Sequence, residues 1–211
     1  MSTISRTPMR ITRGWQDLVL VAGGAGLLVL VALPVDPAQV PDAETPVFRV
    51  LNGTTVLPFV VVWPVMQLGN VLVVPPAALL AAAFRRWRLA LELLIAGAGT
   101  YLAAKVVKGV RPRGRPDGLL SDVVIRGAEA HGRGFVSGHA ATLAALATVA
   151  WPWLGPRARI AVGVLVGVVC LTRVYVGAHL PLDVVGGLAL GVAIGGLVRL
   201  ALGRPAPARP A

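Results

Sequence analysis

Apolar residues fall into long, nearly uninterrupted runs separated by short polar clusters, without the alternation of a half-buried strand or the one-sided stripe of a soluble helix. The runs cover residues 18–33, 56–84, 89–107, 137–154, 160–178 and 183–202. A helix needs about 20 apolar residues to cross about 30 Å of hydrocarbon. The pattern therefore predicts an all-α, polytopic membrane bundle of about six transmembrane helices, spanning residues 18–202. Residues 1–17 are expected to form a cytoplasmic segment, and the Pro/Ala-rich residues 203–211 a disordered tail. The run 56–84 is too long for one upright helix and too short for two plus a turn, which predicts a single helix kinked at Pro64 or at Pro75-Pro76. Between the first two runs, residues 36–55 are polar and mildly acidic, and residues 46–51 predict a short interfacial helix. The first run follows Arg6, Arg10 and Arg13 as a secretory signal would, but Pro34 and Pro37 interrupt the place of a cleavage site, so it is read as a retained helix. Gly97, Gly99, Gly186, Gly187, Gly195 and Gly196 permit close helix packing.

Composition agrees: 56% of the 211 residues are hydrophobic, 14% are charged and mean hydropathy is +0.77, against roughly a quarter charged in soluble domains. Cys170, the one cysteine, lies in an apolar run, so no intramolecular disulfide can form and the redox compartment is not encoded. The net charge of +11 is scattered between apolar runs, not clustered on a polar domain with aromatic platforms. This argues against nucleic acid and for a lipid bilayer as partner.

With the N-terminus inside, the inner segments carry Arg6, Arg10 and Arg13, then Arg85, Arg86 and Arg88, then Arg157 and Arg159, then Arg204 and Arg209. The first outer loop carries Asp36, Asp42 and Glu44 against Arg49. This obeys the positive-inside rule and places a multi-pass chain in a cell (inner or plasma) membrane. One outer loop breaks the rule, with Lys108, Arg111, Arg113, Arg115, Arg126 and Arg133. Binding an anion would account for it.

Three stretches fall at the outer ends of the last four spans, and the helix count brings them to one extracytoplasmic face. The first runs from Lys108 to Arg115-Pro116. In the second, Ser137-Gly138-His139 opens a span; Ser137 suits an N-cap, and Gly138 lets a ligand approach the free N–H groups of a helix terminus. The third is Thr172-Arg173, then His179, then Asp183. Arg173 lies inside an apolar span, where an unpaired charge costs at least about 2.5–3.5 kcal/mol, so it should face a partner.

The three stretches resemble the signature motifs of the type-2 phosphatidate phosphatase superfamily, which also includes the vanadium haloperoxidases: Lys-x6-Arg-Pro, Pro-Ser-Gly-His and Ser-Arg-x5-His-x3-Asp. By motif the likeness covers roughly residues 105–187. It implies a membrane lipid phosphatase in which His179 is the nucleophile that forms a phosphohistidine, Asp183 its orienting carboxylate and His139 the acid that protonates the leaving alkoxide. It further implies a phosphate cradle of Lys108, Arg115, Ser137, Gly138 and Arg173, with no metal and no cofactor. Val136 stands in place of the motif's proline and Thr172 in place of its serine. Lys108 has the motif spacing to Arg115, whereas Lys105 has five intervening residues to Arg111-Pro112; Lys108 is preferred, with Arg113 as an auxiliary phosphate contact.

The chemistry supports these roles. A carboxylate accepting one imidazole N–H fixes the tautomer that leaves the other nitrogen nucleophilic. An alkoxide leaves poorly without an acid, worth about 10²- to 10⁴-fold, and three fixed cations supply the charge stabilisation that Mg²⁺ supplies elsewhere. The expected substrates are an isoprenoid diphosphate, phosphatidate or phosphatidylglycerol phosphate. Transfer to an acceptor other than water uses the same intermediate, and only an acceptor-dependent product separates it. A transporter or a silent lipid-binding protein is the reading from another class; charges gathered at one face, no internal repeat, and both histidines and Asp183 present favour catalysis. Singly, His139 and His179 read as helix-end histidines, Arg173 as a snorkelling side chain and Asp183 as a cap. Arg126, Arg133 and His131 read as loop groups, Glu92 as interfacial, and Gln67 and Asn70 as helix–helix hydrogen-bonding groups. Oligomeric state has no sequence signal.

Overall fold

The computed structural model describes residues 11–55, 57–127 and 130–205. Residues 1–10 of the expected N-terminal segment and 206–211 of the expected tail lie outside the described residues, with Val56, Ala128 and Glu129. A two-residue strand β1 (Ile11–Thr12) leads into α1 (Trp15–Ala32), and a short helix α2 (Glu44–Gly53) follows a loop. After these come α3 (Phe59–Gln67), α4 (Val74–Ala83), α5 (Trp87–Val110) and the single turn α6 (Pro116–Leu119). The chain continues through α7 (Gly138–Ala150), α8 (Pro156–Tyr175), α9 (Pro181–Leu202) and β2 (Arg204–Pro205).

By length and composition α1, α5, α8 and α9 can each cross a membrane, and α3 with α4 makes a fifth, bent span. The sixth rod, α7, has 13 residues and ends in a 3₁₀ turn, Trp151–Trp153. Pro152 cannot donate to the helical ladder, and the Thr148 carbonyl it leaves accepts instead from Arg199 at 3.5 Å. The chain is thus the expected polytopic bundle of about six rods.

The bend in the second run is not at a proline. α3 and α4 are inclined by 58° about residues 68–70 and a 3₁₀ turn, Val71–Val73. Pro75 and Pro76 sit in the first turn of α4, where a missing N–H costs nothing, and Pro64 lies inside a continuous α3. Asn70 makes the break: its Oδ1 accepts from Leu72 N–H at 3.0 Å and its Nδ2 donates to Gln67 at 3.1 Å. These two residues brace a turn instead of joining helices. Gly69 lets the turn press on α7, since a Cβ there would come 2.8 Å from the His139 carbonyl oxygen.

α9 is the central rod and packs most extensively on α7 and α1. Within a bilayer, apolar burial does little to drive helices together, so close backbone approach carries the packing. A Cβ on Gly187 would meet the Ser137 carbonyl oxygen at 2.5 Å, one on Gly195 the Thr148 Cβ at 2.6 Å, and one on Gly24 the Ala189 carbonyl oxygen at 2.7 Å.

The end of the bundle holding β1 and β2 is stitched by charge. Arg199 pairs with buried Asp17 at 2.7 Å, and Arg13 donates to the carbonyls of Leu200 and Ala201 at 3.0 and 2.9 Å. Arg88 donates to the Leu202 and Gly203 carbonyls and pairs with Glu92 at 2.9 Å, so Glu92 is a buried partner and not an interfacial group. Ile11–Thr12 pairs antiparallel with Arg204–Pro205. The tail expected to be unstructured from residue 203 therefore begins as a strand, because those residues have a partner in β1.

Candidate active site

At the opposite end, α8 stops at Tyr175 and a tight turn leads into α9. The Arg173 carbonyl accepts the N–H groups of both Ala178 and His179 at 3.2 Å, which ties His179 back to the end of α8 and explains the Arg-x5-His spacing. Gly177 takes φ +78°, in the left-handed region, and a Cβ there would come 2.8 Å from the Val124 carbonyl oxygen. Pro181 opens α9, as suits a residue with no N–H to lose. Asp183 is then two residues into the first turn, and its Oδ2 accepts the Leu180 N–H at 3.0 Å while facing His179 Nδ1 at 3.4 Å.

His179 is 2% exposed. Its other ring nitrogen, Nε2, lies 2.9 Å from Arg115 Nη1. A guanidinium can only donate, so Nε2 carries the lone pair and Nδ1 carries the proton toward Asp183. Burial, and after it the charges of Arg115, Arg173 and Lys108, hold the imidazole neutral well below the usual histidine range.

Arg113 is not at the phosphate face. It is fully buried and stands behind Asp183, with Nη1 3.2 Å from Asp183 Oδ1 and also 3.2 Å from Glu44 Oε1, and Nη2 2.5 Å from Glu44 Oε2. Glu44 Oε1 also accepts the Leu182 N–H at 2.7 Å. The expected auxiliary contact is thus a structural cation, because two carboxylates in a low-dielectric pocket need one between them. The sequence reading missed Glu44. Its one signal was an acid at the start of the interfacial helix, within a loop read only for net charge.

Arg115 Nη1 also donates to the Ala178 carbonyl at 2.6 Å, and its Nε and Nη2 reach the Gly132 and His131 carbonyls at 3.3 and 3.2 Å. Lys108 Nζ donates to the Arg133 carbonyl at 2.6 Å and the Gly134 carbonyl at 3.3 Å. Arg173 is buried inside α8, where Nη1 contacts Met66 Sδ at 2.9 Å and Nε has no hydrogen-bond partner. Arg126 and Arg133 are not free loop charges: Arg126 donates to the Tyr175 and Thr54 carbonyls at 2.5 and 2.8 Å, and Arg133 to the Lys108 carbonyl at 2.7 Å.

Ser137 precedes α7, and its N–H donates to the Asp183 backbone carbonyl at 2.8 Å, which locks the two motifs together. Its buried Oγ and the buried His139 Nε2 have no partner. A Cβ on Gly138 would meet nothing within 4 Å, so the N-terminus of α7 has open space before it. His139 and Arg173 line a cavity of about 240 Å³ together with Phe59, Trp63, Met66 and Ala178. Among the described residues no group of three or more His, Cys, Asp or Glu side chains is arranged to hold a metal ion.

The model for the PAP2 superfamily matches residues 85–205. Among solved structures, LpxE of Aquifex aeolicus is similar with a TM-score of 0.71 at 24% identity, over 77% of this chain and 98% of that one. The first transmembrane PAP2 type phosphatidylglycerolphosphate phosphatase from Bacillus subtilis is similar with a TM-score of 0.62 at 22% identity, over 88% of this chain and 95% of that one. Among curated proteins no relative matches significantly.

Proposed function

The chain belongs to the PAP2 superfamily, a membrane phosphatase by family and fold, and from that premise we propose that it hydrolyses a lipid phosphate monoester or diphosphate through a phosphohistidine on His179. The observation that carries this reading is the buried His179, whose Nδ1 faces Asp183 at 3.4 Å while Nε2 is turned to a guanidinium at 2.9 Å. That tautomer is the nucleophilic one.

In the proposed first step the Nε2 lone pair attacks phosphorus, the P–O bond to the lipid breaks, and His139 passes a proton to the departing oxygen. The positive charge left on His179 is stabilised by Asp183. Water then attacks the phosphohistidine, His139 takes up its proton, and inorganic phosphate leaves. Arg115, Arg173 and Lys108 hold the phosphoryl oxygens, assisted by Ser137 and the Gly138 N–H at the positive end of α7. Arg115 is bonded to Nε2 and to the Ala178 carbonyl, and so can shift its donor to an arriving oxygen without leaving its place. Arg113 and Glu44 act through Asp183 as positioning residues.

Phosphatidylglycerol phosphate, which the Bacillus subtilis neighbour's description names, joins phosphatidate and isoprenoid diphosphates as the substrates to try first. The proposal puts the site on the extracytoplasmic side of the cell membrane, with the lipid tail passing Phe59 and Trp63, which line the cavity beside His139 and Arg173. The test is phosphate release from these lipids by the purified chain in excess EDTA, with His179→Ala alongside. Turnover that vanishes in the variant supports the reading, as does a ³²P label trapped on wild-type protein by an alkaline detergent quench and lost on acidification. Equal release by both proteins sinks it, and product formed only with an added alcohol acceptor replaces hydrolysis by phosphotransfer.

A further inference from the structure

A second crevice lies at the other end of the bundle, well away from the phosphate site: Arg199 on α9 is 16 residues beyond Asp183, about 24 Å along the helix. α1 leans on α9, and α8 leans on α7, α2 and α3, so a wedge stays open between α1 and α8. Its volume is about 920 Å³, within the range of sites that take ligands. The floor is apolar, with Ala144, Leu188 and Val192, and the mouth holds Trp15, Trp151 and the three arginines Arg159, Arg199 and Arg204.

The charge at that mouth does not balance. Among the described residues Asp17 is the one carboxylate paired with these arginines, and Arg199 already takes it at 2.7 Å. Arg204 reaches Asp17 only at 3.6 Å, and its Nε has no hydrogen-bond partner. Arg159 spends Nε on the Trp151 carbonyl at 3.0 Å, and among the described residues its hydrogen bonds involve neither of its two Nη groups. Arg199, 6% exposed, lines the crevice with an unpartnered Nε.

We propose that this crevice is a binding site for one anionic phospholipid of the cytoplasmic leaflet. The phosphate sits between Arg159 and Arg204, and one acyl chain runs down the wedge between α1 and α8. Trp15 and Trp151 then lie at headgroup depth, where indole rings are favoured. The lipid fills the wedge between α1 and α8 and supplies the anion the arginines at its mouth lack. A zwitterionic lipid brings an ammonium into a mouth that already carries three guanidinium groups and one engaged carboxylate. Selectivity for net negative headgroups follows.

The test counts bound lipid. The full chain in detergent is offered equal amounts of dioleoylphosphatidylglycerol and dioleoylphosphatidylcholine, and adducts are read by native mass spectrometry. Wild type retains one phosphatidylglycerol in preference to phosphatidylcholine by roughly tenfold, and Arg159→Gln/Arg204→Gln brings the two lipids to parity. Gly163→Leu tests the wedge separately: a Cβ at Gly163, which lines the crevice, would meet nothing within 4 Å, so the variant fills it without displacing a neighbour. It loses the adduct while EDTA-resistant phosphate release stays as in wild type. A wild type without preference, either variant keeping the wild-type adduct, or a lipid-free dimer of the wild type overturns the proposal.

Discussion

Glu44 and Arg113 set the charge behind the proposed nucleophile. Arg113 is shared between two carboxylates, so Asp183 is held from one side by Arg113 at 3.2 Å and from the other by the Leu180 N–H at 3.0 Å. Removing one member of a buried pair costs about 3–5 kcal/mol because the partner is left bare, which makes Glu44→Gln, with its shape retained, the informative change. It should lower kcat by roughly ten- to a hundredfold, the scale of a misplaced reacting group, with KM for the lipid within about twofold of wild type. A loss confined to KM would instead place Glu44 in substrate binding. The ring itself gives a pH signature. Burial and the neighbouring cations hold His179 neutral well below the usual histidine range, so protonation of this ring should not itself lower kcat/KM, corrected for substrate ionisation, as pH drops through about 6.5. Arg115→Gln removes the largest charge acting on the ring, favours its protonated form, and should move the acid limb to higher pH on top of its loss of rate. The sequence carried His179, Asp183, His139 and their spacing. It could not carry Glu44, whose partner lies 69 residues away, nor the use of Arg113, since an arginine beside Arg115 reads alike whether it meets phosphate or carboxylate.

Between elements, the motifs are aligned by the contact of α7 with α9, and the glycines of α9 set its distance. Gly187→Val would drive a side chain into the Ser137 carbonyl, 2.5 Å from the added Cβ, and push the start of α7 off Asp183. Both the melting temperature in detergent and EDTA-resistant phosphate release should fall. Gly99→Ala is the control, because its added Cβ would sit 3.5 Å from Ile194, an ordinary contact, and should leave both near wild type. If Gly187→Val melts and turns over like Gly99→Ala, the helix contact does not position the site. The rods themselves were readable because a lipid-facing helix must be apolar all round, as α1 and α8 largely are. The break between α3 and α4 was not, because the chain offered three prolines as candidates while the bend is made by a glycine and an asparagine. The reason for Gly69 is the backbone of α7, which no local pattern contains.

At the scale of the molecule, the pairing of β1 with β2 carries a topological consequence. Two chain ends joined by hydrogen bonds lie on one side of the membrane, so the number of crossings between them is even. By length and composition α1, the bent α3–α4 pair, α5, α8 and α9 give five, and the 13-residue α7 is the rod that makes the count even. The paired end carries Arg13, Arg88, Arg199 and Arg204, with Arg86 bonded to the Trp153 carbonyl at 3.2 Å and Arg159 to that of Trp151 at 3.0 Å. The other end carries the amphipathic α2 and the motif loops. The proposed orientation, with the paired end in the cytoplasm, follows the positive-inside rule, although the basic loop between α5 and α7 works against it in any simple count of charges. The balance is decided by Lys108, Arg113 and Arg115, which are engaged with backbone carbonyls, carboxylates and the His179 ring and so do not act as free topogenic charges. In a Cys170→Ala background, Gly118→Cys in α6 and Arg157→Cys in the first turn of α8 place single thiols at exposed positions, one at each end of the bundle. An impermeant maleimide applied to intact cells should label Gly118→Cys at once and Arg157→Cys only after permeabilisation. The reverse pattern would put the phosphate site in the cytoplasm and require a cytoplasmic-leaflet substrate, while labelling of both from outside would break the even count that the strand pair demands.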